Sequence, residues 1–205
     1  MTLSVWLAYV ATAIVFSLAP GSGTVNSISN GINFGARRSL AAVAGLQVGL
    51  VCHIALVGAG IGALVAQSAT AFSVIKWVGV VYLVWLGIQK WRETSGMSVT
   101  DSHEQLSSIT LFRQAVLVNL TNPKSIVFLV ALFPQFINPS QPQFVQLLIL
   151  GVTTVVIDGA VMIGYTTLAS QLRRAVQSPR WMRSLNRVFG SMFIGCGALL
   201  SLAKS

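Results

Sequence analysis

An aspartate, a lysine and a histidine stand inside runs that are otherwise uncharged: Asp158 within LGVTTVVIDGAVMIGY, Lys124 within VNLTNPKSIVFLVALF, and His53 within GLQVGLVCHIALVG. A carboxylate in such a setting suits proton carriage or pairing with a substrate ammonium, and an ammonium suits a carboxylate partner. Lys124 follows Arg113 by eleven residues, which at about 1.5 Å each puts it about 16 Å into an apolar layer of about 30 Å. An ammonium there costs at least about 2.5 kcal/mol on insertion scales, so it must face a partner or water. The blander roles are a structural cation that satisfies carbonyls freed by Pro123, or a permanent ion pair between Lys124 and Asp158. Helical spacing sets Gly151, Thr154, Asp158 and Tyr165 on one face, a polar stripe on an apolar helix. His53 falls near the Gly45/Gly49 face, where an interhelical hydrogen bond is the simpler role and a proton relay the sharper one. Gln47 and the Gly58/Gly62 pair lie roughly opposite, so this helix is expected to pack on both sides.

Two proline-interrupted stretches add backbone chemistry: Ser17-Leu18-Ala19-Pro20-Gly21-Ser22-Gly23 and Asn119-Leu120-Thr121-Asn122-Pro123-Lys124. Proline lacks a donor and clashes with the preceding turn, freeing backbone groups that lipid cannot satisfy. Gly21 and Gly23 let a ligand approach the backbone. A helix resuming from Thr24 would aim N–H groups at an anion such as a carboxylate. One such break reads most simply as a packing kink; two in corresponding helices favour a site. Candidate substrate-binding residues are Pro20, Gly21, Ser22, Gly23, Asn119, Asn122, Pro123 and Lys124, with Asp158 and His53 as candidates for proton coupling. No catalytic residue, metal-ligand set or cofactor is expected. Cys52 and Cys196 have no partner spacing, and no Walker A pattern is present.

These residues need elements to hold them, and composition says what kind. Of 205 residues 54% are apolar and 8% charged, against roughly 25% charged in an ordinary soluble domain. A mean hydropathy of +0.77 excludes disorder, whose precondition is low hydrophobicity. The net charge of +9 would suggest nucleic acid in a soluble chain. Here the cations lie between long uncharged runs, so nucleic acid is not an expected partner and lipid is. The expectation is an all-α integral membrane protein, one transmembrane domain over 1–205. Six spans are predicted, at about 3–23, 40–64, 70–90, 113–135, 143–169 and 186–203, with a polar loop at 91–112. Two sets of three suggest a 3+3 inverted repeat, its first and fourth helices broken by proline. Arg37, Arg38, Lys90, Arg92, Arg113, Arg173, Arg174, Arg180, Arg183 and Arg187 all fall in the odd-numbered connections. Those connections are therefore expected in the cytoplasm and both termini outside it. No Lys or Arg precedes Arg37, so the first apolar run lacks a signal peptide's basic start and is expected to stay in the mature chain.

The segments SLAPGSGTVNSISNGINFGARRS, AGLQVGLVCHIALVGAGIG, KWVGVVYLVWLGIQKWR and above all VNLTNPKSIVFLVALFPQF resemble the LysE/RhtB superfamily of amino-acid exporters. The likeness runs along nearly the whole chain, through LGVTTVVIDGAVMIGY and LNRVFGSMFIGCGALL. The family's more usual PGP is here Pro20-Gly21-Ser22, and an acid common after the second helix's glycines is replaced by Gln47 or its neighbours. Both departures are compatible with the family's homoserine branch. The resemblance implies a secondary transporter, not an enzyme, in the bacterial inner membrane. It implies export of small neutral amino acids, homoserine and its lactone first, driven by the proton gradient with Asp158 as the natural titrating group. Threonine or another neutral amino acid is the alternative substrate. Oligomeric state stays open, with a homodimer as one option because small exporters often pair. A thiol-redox carrier would need cysteines in the broken first and fourth helices, which have none. A scaffold protein would need neither Lys124 nor Asp158.

Overall fold

Apolar runs of this length must satisfy their backbone internally, and the chain does so with helices. In a computed structural model of the protein, residues 1–19, 21–67, 77, 80–81, 84–85, 88, 91–92, 106–171, 183–184, 187–188, 191, 194–195 and 198 are described, and no strand occurs among them. Pro20, most of the polar loop, and much of the third and sixth apolar runs lie outside the described residues. The continuous elements are α1 (Leu3–Leu18), α2 (Ser22–Gln67), α3 (Ser108–Leu120), α4 (Pro123–Leu132) followed by a 3-10 turn (Phe133–Phe136), and α5 (Gln143–Gln171).

Helix ends follow local chemistry. Thr2 caps α1 and Ser107 caps α3, each hydroxyl accepting a first-turn N–H. Asn122 caps α4, whose first position is Pro123, where the missing N–H costs nothing. Ser22–Gly60 and Gln143–Gln171 are each long and apolar enough to cross a membrane. Ser108–Leu120 and Lys124–Phe136, bent by 52°, make a third crossing if taken together.

The 39 residues of Ser22–Gly60 would extend about 58 Å as one rod, nearly twice the apolar layer. They do not form one rod. Gly35 stands at φ 77°, ψ 164°, a region essentially closed to other residues, and divides α2 into arms 22–34 and 36–67. The first arm continues the course of α1 along α5. Trp6 donates to Thr153 (3.1 Å), Tyr9 hydrogen-bonds Thr154, Tyr165 donates to the Leu18 carbonyl (2.6 Å) and Thr166 to the Ser27 carbonyl (3.3 Å). Numbers rise together, so residues 3–34 form one broken course parallel to α5. The second arm runs parallel to α3, with Gly45 against Phe112 and Gly49 against Asn119. A methyl at Gly45 would overlap the Phe112 carbonyl, so glycine sets the closeness of that approach. Its other side meets α5 antiparallel, Gln47 at Asp158 and Gly58 at Leu147.

The two broken courses cross. Phe16 stacks on Phe128 with centroids 3.5 Å apart, and Ser22 Oγ donates to the Val118 carbonyl at 3.4 Å. Numbers rise on one and fall on the other, so 3–34 and 108–136 are antiparallel. Tyr9 anchors one end of the crossing, edge-on to Phe133 and Phe136. One difference from the sequence reading concerns boundaries. The first helix ends at Leu18 rather than 23; helix resumes at Ser22, two residues before the expected Thr24, and runs on into the span expected from 40. Packing is the reason: Ser27, Ile28, Gly31 and Ile32 are buried, with Gly31 against Thr166 and Ile28 and Ile32 clustered with Ala169. Asn26 and Asn30 hydrogen-bond each other on the half-buried side.

Candidate functional site

Each break leaves carbonyls that no helical N–H serves, and side chains from other elements reach them. At the first break, Tyr165 of α5 serves Leu18 and Lys124 of α4 serves Ala19. At the second, the Lys124 N–H that would serve Leu120 in a continuous helix turns to Asn122 Oδ1 (3.2 Å), and His53 Nε2 meets the Leu120 carbonyl at 3.2 Å. The freed carbonyl that Lys124 satisfies therefore belongs to the Pro20 stretch and not to its own proline. His53 thus acts from Nε2 as the donor, and its buried Nδ1 has no hydrogen-bond partner among the described residues.

Between the breaks lies a cavity of about 20 Å³ lined by Gly21, Gly23, Thr24, Asn119, Asn122, Lys124, Ser125 and Asp158, with Phe16, Leu46, Leu50 and Met162 as apolar wall. Lys124 is 6% exposed and Asp158 9%, so both charged side chains are held in the interior. The Lys124 ammonium sits 4.3 Å from the centre of the Phe16 ring, where the ring's negative face favours it. Its stem runs against Gly21: a Cβ there would lie 2.8 Å from Lys124 Cδ. Asp158 Oδ2 accepts from Gln47 Nε2 at 2.9 Å.

Asn119, Asn122 and Ser125, spaced by three on the face of the second break, form a connected set. Asn119 Nδ2 donates to the Leu46 carbonyl, while its Oδ1 accepts from Ser125 (3.1 Å) and Asn122 (3.4 Å). Asn122 also donates to Ser125 Oγ at 3.0 Å. Among the described residues, Thr24 Oγ1 and Gln47 Oε1 are buried without a hydrogen-bond partner; such groups are satisfied by water or ligand. The cavity holds about one water. Two helix starts, Ser22 and Pro123, and two helix ends, Leu18 and Leu120, meet around it, so partial charges of both signs face one space.

Of the residues singled out in the sequence, the structure brings Gly21, Gly23, Asn119, Asn122, Lys124 and Asp158 to this cavity. Ser22 is exposed and bonds Val118, Pro123 opens α4, and Pro20 lies outside the described residues. His53 does not line the cavity; it caps Leu120. Sequence reasoning named Thr24 only as the start of the resumed helix, and missed Phe16 and Ser125. Only Ser125 carried a signal, the three-residue spacing after Asn119 and Asn122.

Comparison with known proteins matches the family described as LysE type translocator over residues 14–204. A Vibrio cholerae protein called an uncharacterized membrane protein is 64% identical over the full length of both chains. A homoserine/homoserine lactone efflux protein of Salmonella typhimurium is 51% identical, over 100% of this chain and 99% of that one. A leucine efflux protein of Klebsiella pneumoniae is 31% identical, over 98% of this chain and 96% of that one. No solved structure matches.

Proposed function

The chain belongs to the LysE family of translocators, and on that premise we propose that it exports small neutral amino acids, homoserine and homoserine lactone first, across the bacterial inner membrane at the expense of the proton gradient. One observation carries the reading: a buried lysine and a buried aspartate from different elements line one cavity where two broken helices cross. A zwitterion needs a cationic and an anionic subsite, and these are the two. Its carboxylate meets Lys124, Asn122 and Ser125 at the start of α4, where the dipole also favours negative charge. Its ammonium meets Asp158. A lactone keeps the ammonium and offers a ring carbonyl oxygen in place of the carboxylate, so Asp158 is the contact both substrates share. The Salmonella relative supports this pair of substrates. The leucine efflux relative supports the second reading, a broader set of neutral amino acids.

A substrate needs several times the volume of one water, so the described conformation is closed. Opening requires the broken courses to part, and the polar contacts between them are Lys124 to the Ala19 carbonyl and Ser22 to the Val118 carbonyl. A substrate carboxylate competes with the Ala19 carbonyl for the same ammonium, which links binding to release of the first break. Six spans in a 3+3 inverted repeat, both termini outside the cytoplasm and Asp158 as the proton carrier complete the reading. The antiparallel crossing of the two broken courses supports the repeat. Export of a panel of labelled amino acids from loaded vesicles, with and without a pH gradient, tests it. Homoserine should leave fastest, and Asp158→Asn should abolish the gradient's effect because asparagine keeps shape and hydrogen bonding but does not titrate. Equal export by that variant with the same gradient dependence removes Asp158 from the coupling.

A further inference from the structure

Away from the cavity, the break at Gly35 opens a second, shallower concavity of about 550 Å³ lined by Phe34, Gly35, Ala36, Arg37, Arg38 and Ser108. Arg37 is exposed and Arg38 half-buried, and among the described residues nothing lies within 4 Å of the space a Gly35 side chain would take. Two guanidiniums on one rim match a phosphate's oxygens, since each presents a planar fork of donors. They also stand in the opening turn of the 36–67 arm, where cations oppose the helix dipole and an anion relieves the conflict.

The surroundings identify which anion. Leu40, one turn beyond Arg37, is 45% exposed, and Ile109, next to Ser108, is 56% exposed. They lie on the two helices that flank the concavity, on the side leading into the apolar spans. A free phosphate would use the arginines and leave those apolar side chains idle; a phospholipid uses both. We propose that this concavity binds the headgroup of an anionic phospholipid of the phosphatidylglycerol class, with its phosphate on Arg37 and Arg38 and its acyl chains over Leu40 and Ile109. Basic pockets between membrane helices take such headgroups. The assignment does not rest on the transport reading.

Native mass spectrometry of the full chain released from mixed micelles tests it, titrated separately with phosphatidylglycerol, phosphatidylcholine and glycerol phosphate. The parent should hold phosphatidylglycerol about thirtyfold more tightly than phosphatidylcholine, the preference expected from two arginines near an anionic headgroup. R37Q and R38Q should each lose about fivefold of that preference, and the double variant nearly all of it. The single variants and the parent's own ratio keep the test decisive should the double variant melt early. Equal retention of the two lipids by the parent, or an unchanged preference in both single variants, overturns the proposal. Displacement of the lipid by equimolar glycerol phosphate overturns it too, reassigning the site to soluble phosphates.

Discussion

The ammonium of Lys124 already holds the Ala19 carbonyl and rests on the Phe16 ring, so the proposed role in binding is separable from the observed role in packing only by measuring both. Lys124→Met keeps most of the stem and removes the charge. The Ala19 carbonyl then loses a charged donor, a deficit of about 1–3 kcal/mol, and the variant should melt lower but remain folded. Homoserine binding to the purified variant should be lost altogether, a larger effect than the stability change accounts for. Retained binding with a lowered melting temperature would leave Lys124 as a helix-break cap alone. Its interior position was legible in the sequence, because a charge in an apolar run must face protein or water whatever the fold. The same holds for Asp158. Its partner Gln47 and the ring of Phe16 were not legible as site residues, since nothing in local spacing says which residues of distant spans meet.

Breaks, more than whole helices, are the elements that organise this protein, and the two proline breaks are each stabilised by a side chain of another element. His53 shows the logic: its Nε2 answers the Leu120 carbonyl that the turn at Asn122 releases. His53→Gln keeps an amide donor for that carbonyl, and should leave folding and gradient-driven export near the parent level. His53→Leu removes the donor, and should lower stability by about 1–3 kcal/mol for one buried carbonyl left unserved. Melting curves and vesicle export of the two variants check this; a folded Gln variant that no longer responds to the gradient would return His53 to the proton path. At this scale the sequence marked both proline stretches and both packing faces of the second helix. Gly45, Gly49 and His53 do turn to α3, while Gln47 and Gly58 turn to α5. It did not mark Gly35 as the divide, because the asparagine-rich 22–34 arm reads as polar and is helical only through its burial against Thr166 and Ala169.

Directions of the described courses bear on the whole molecule's place in the membrane. Residues 3–34 and α5 run one way, and the 36–67 arm and 108–136 run the other. Arg37, Arg38 and Arg113 therefore gather at one end, since Gly45 lies beside Phe112 on parallel helices. The other end holds Met1, whose ammonium donates to Gln141 at 2.6 Å, together with the uncharged turn through Asn138 and Ser140. Cations mark the cytoplasmic end by the positive-inside tendency, so Met1 and Ser140 should face outward. A single cysteine at exposed Ser140, in a chain with Cys52 and Cys196 changed to alanine, should react with a membrane-impermeant thiol reagent added to intact cells, whereas one at Ser108 should react only after the cells are opened. A reporter active only in the cytoplasm and fused at Ser205 should stay dark. Labelling of the Ser108 position in intact cells, or a bright fusion, would invert the orientation. It would also reverse the direction in which the closed cavity must open to release its substrate.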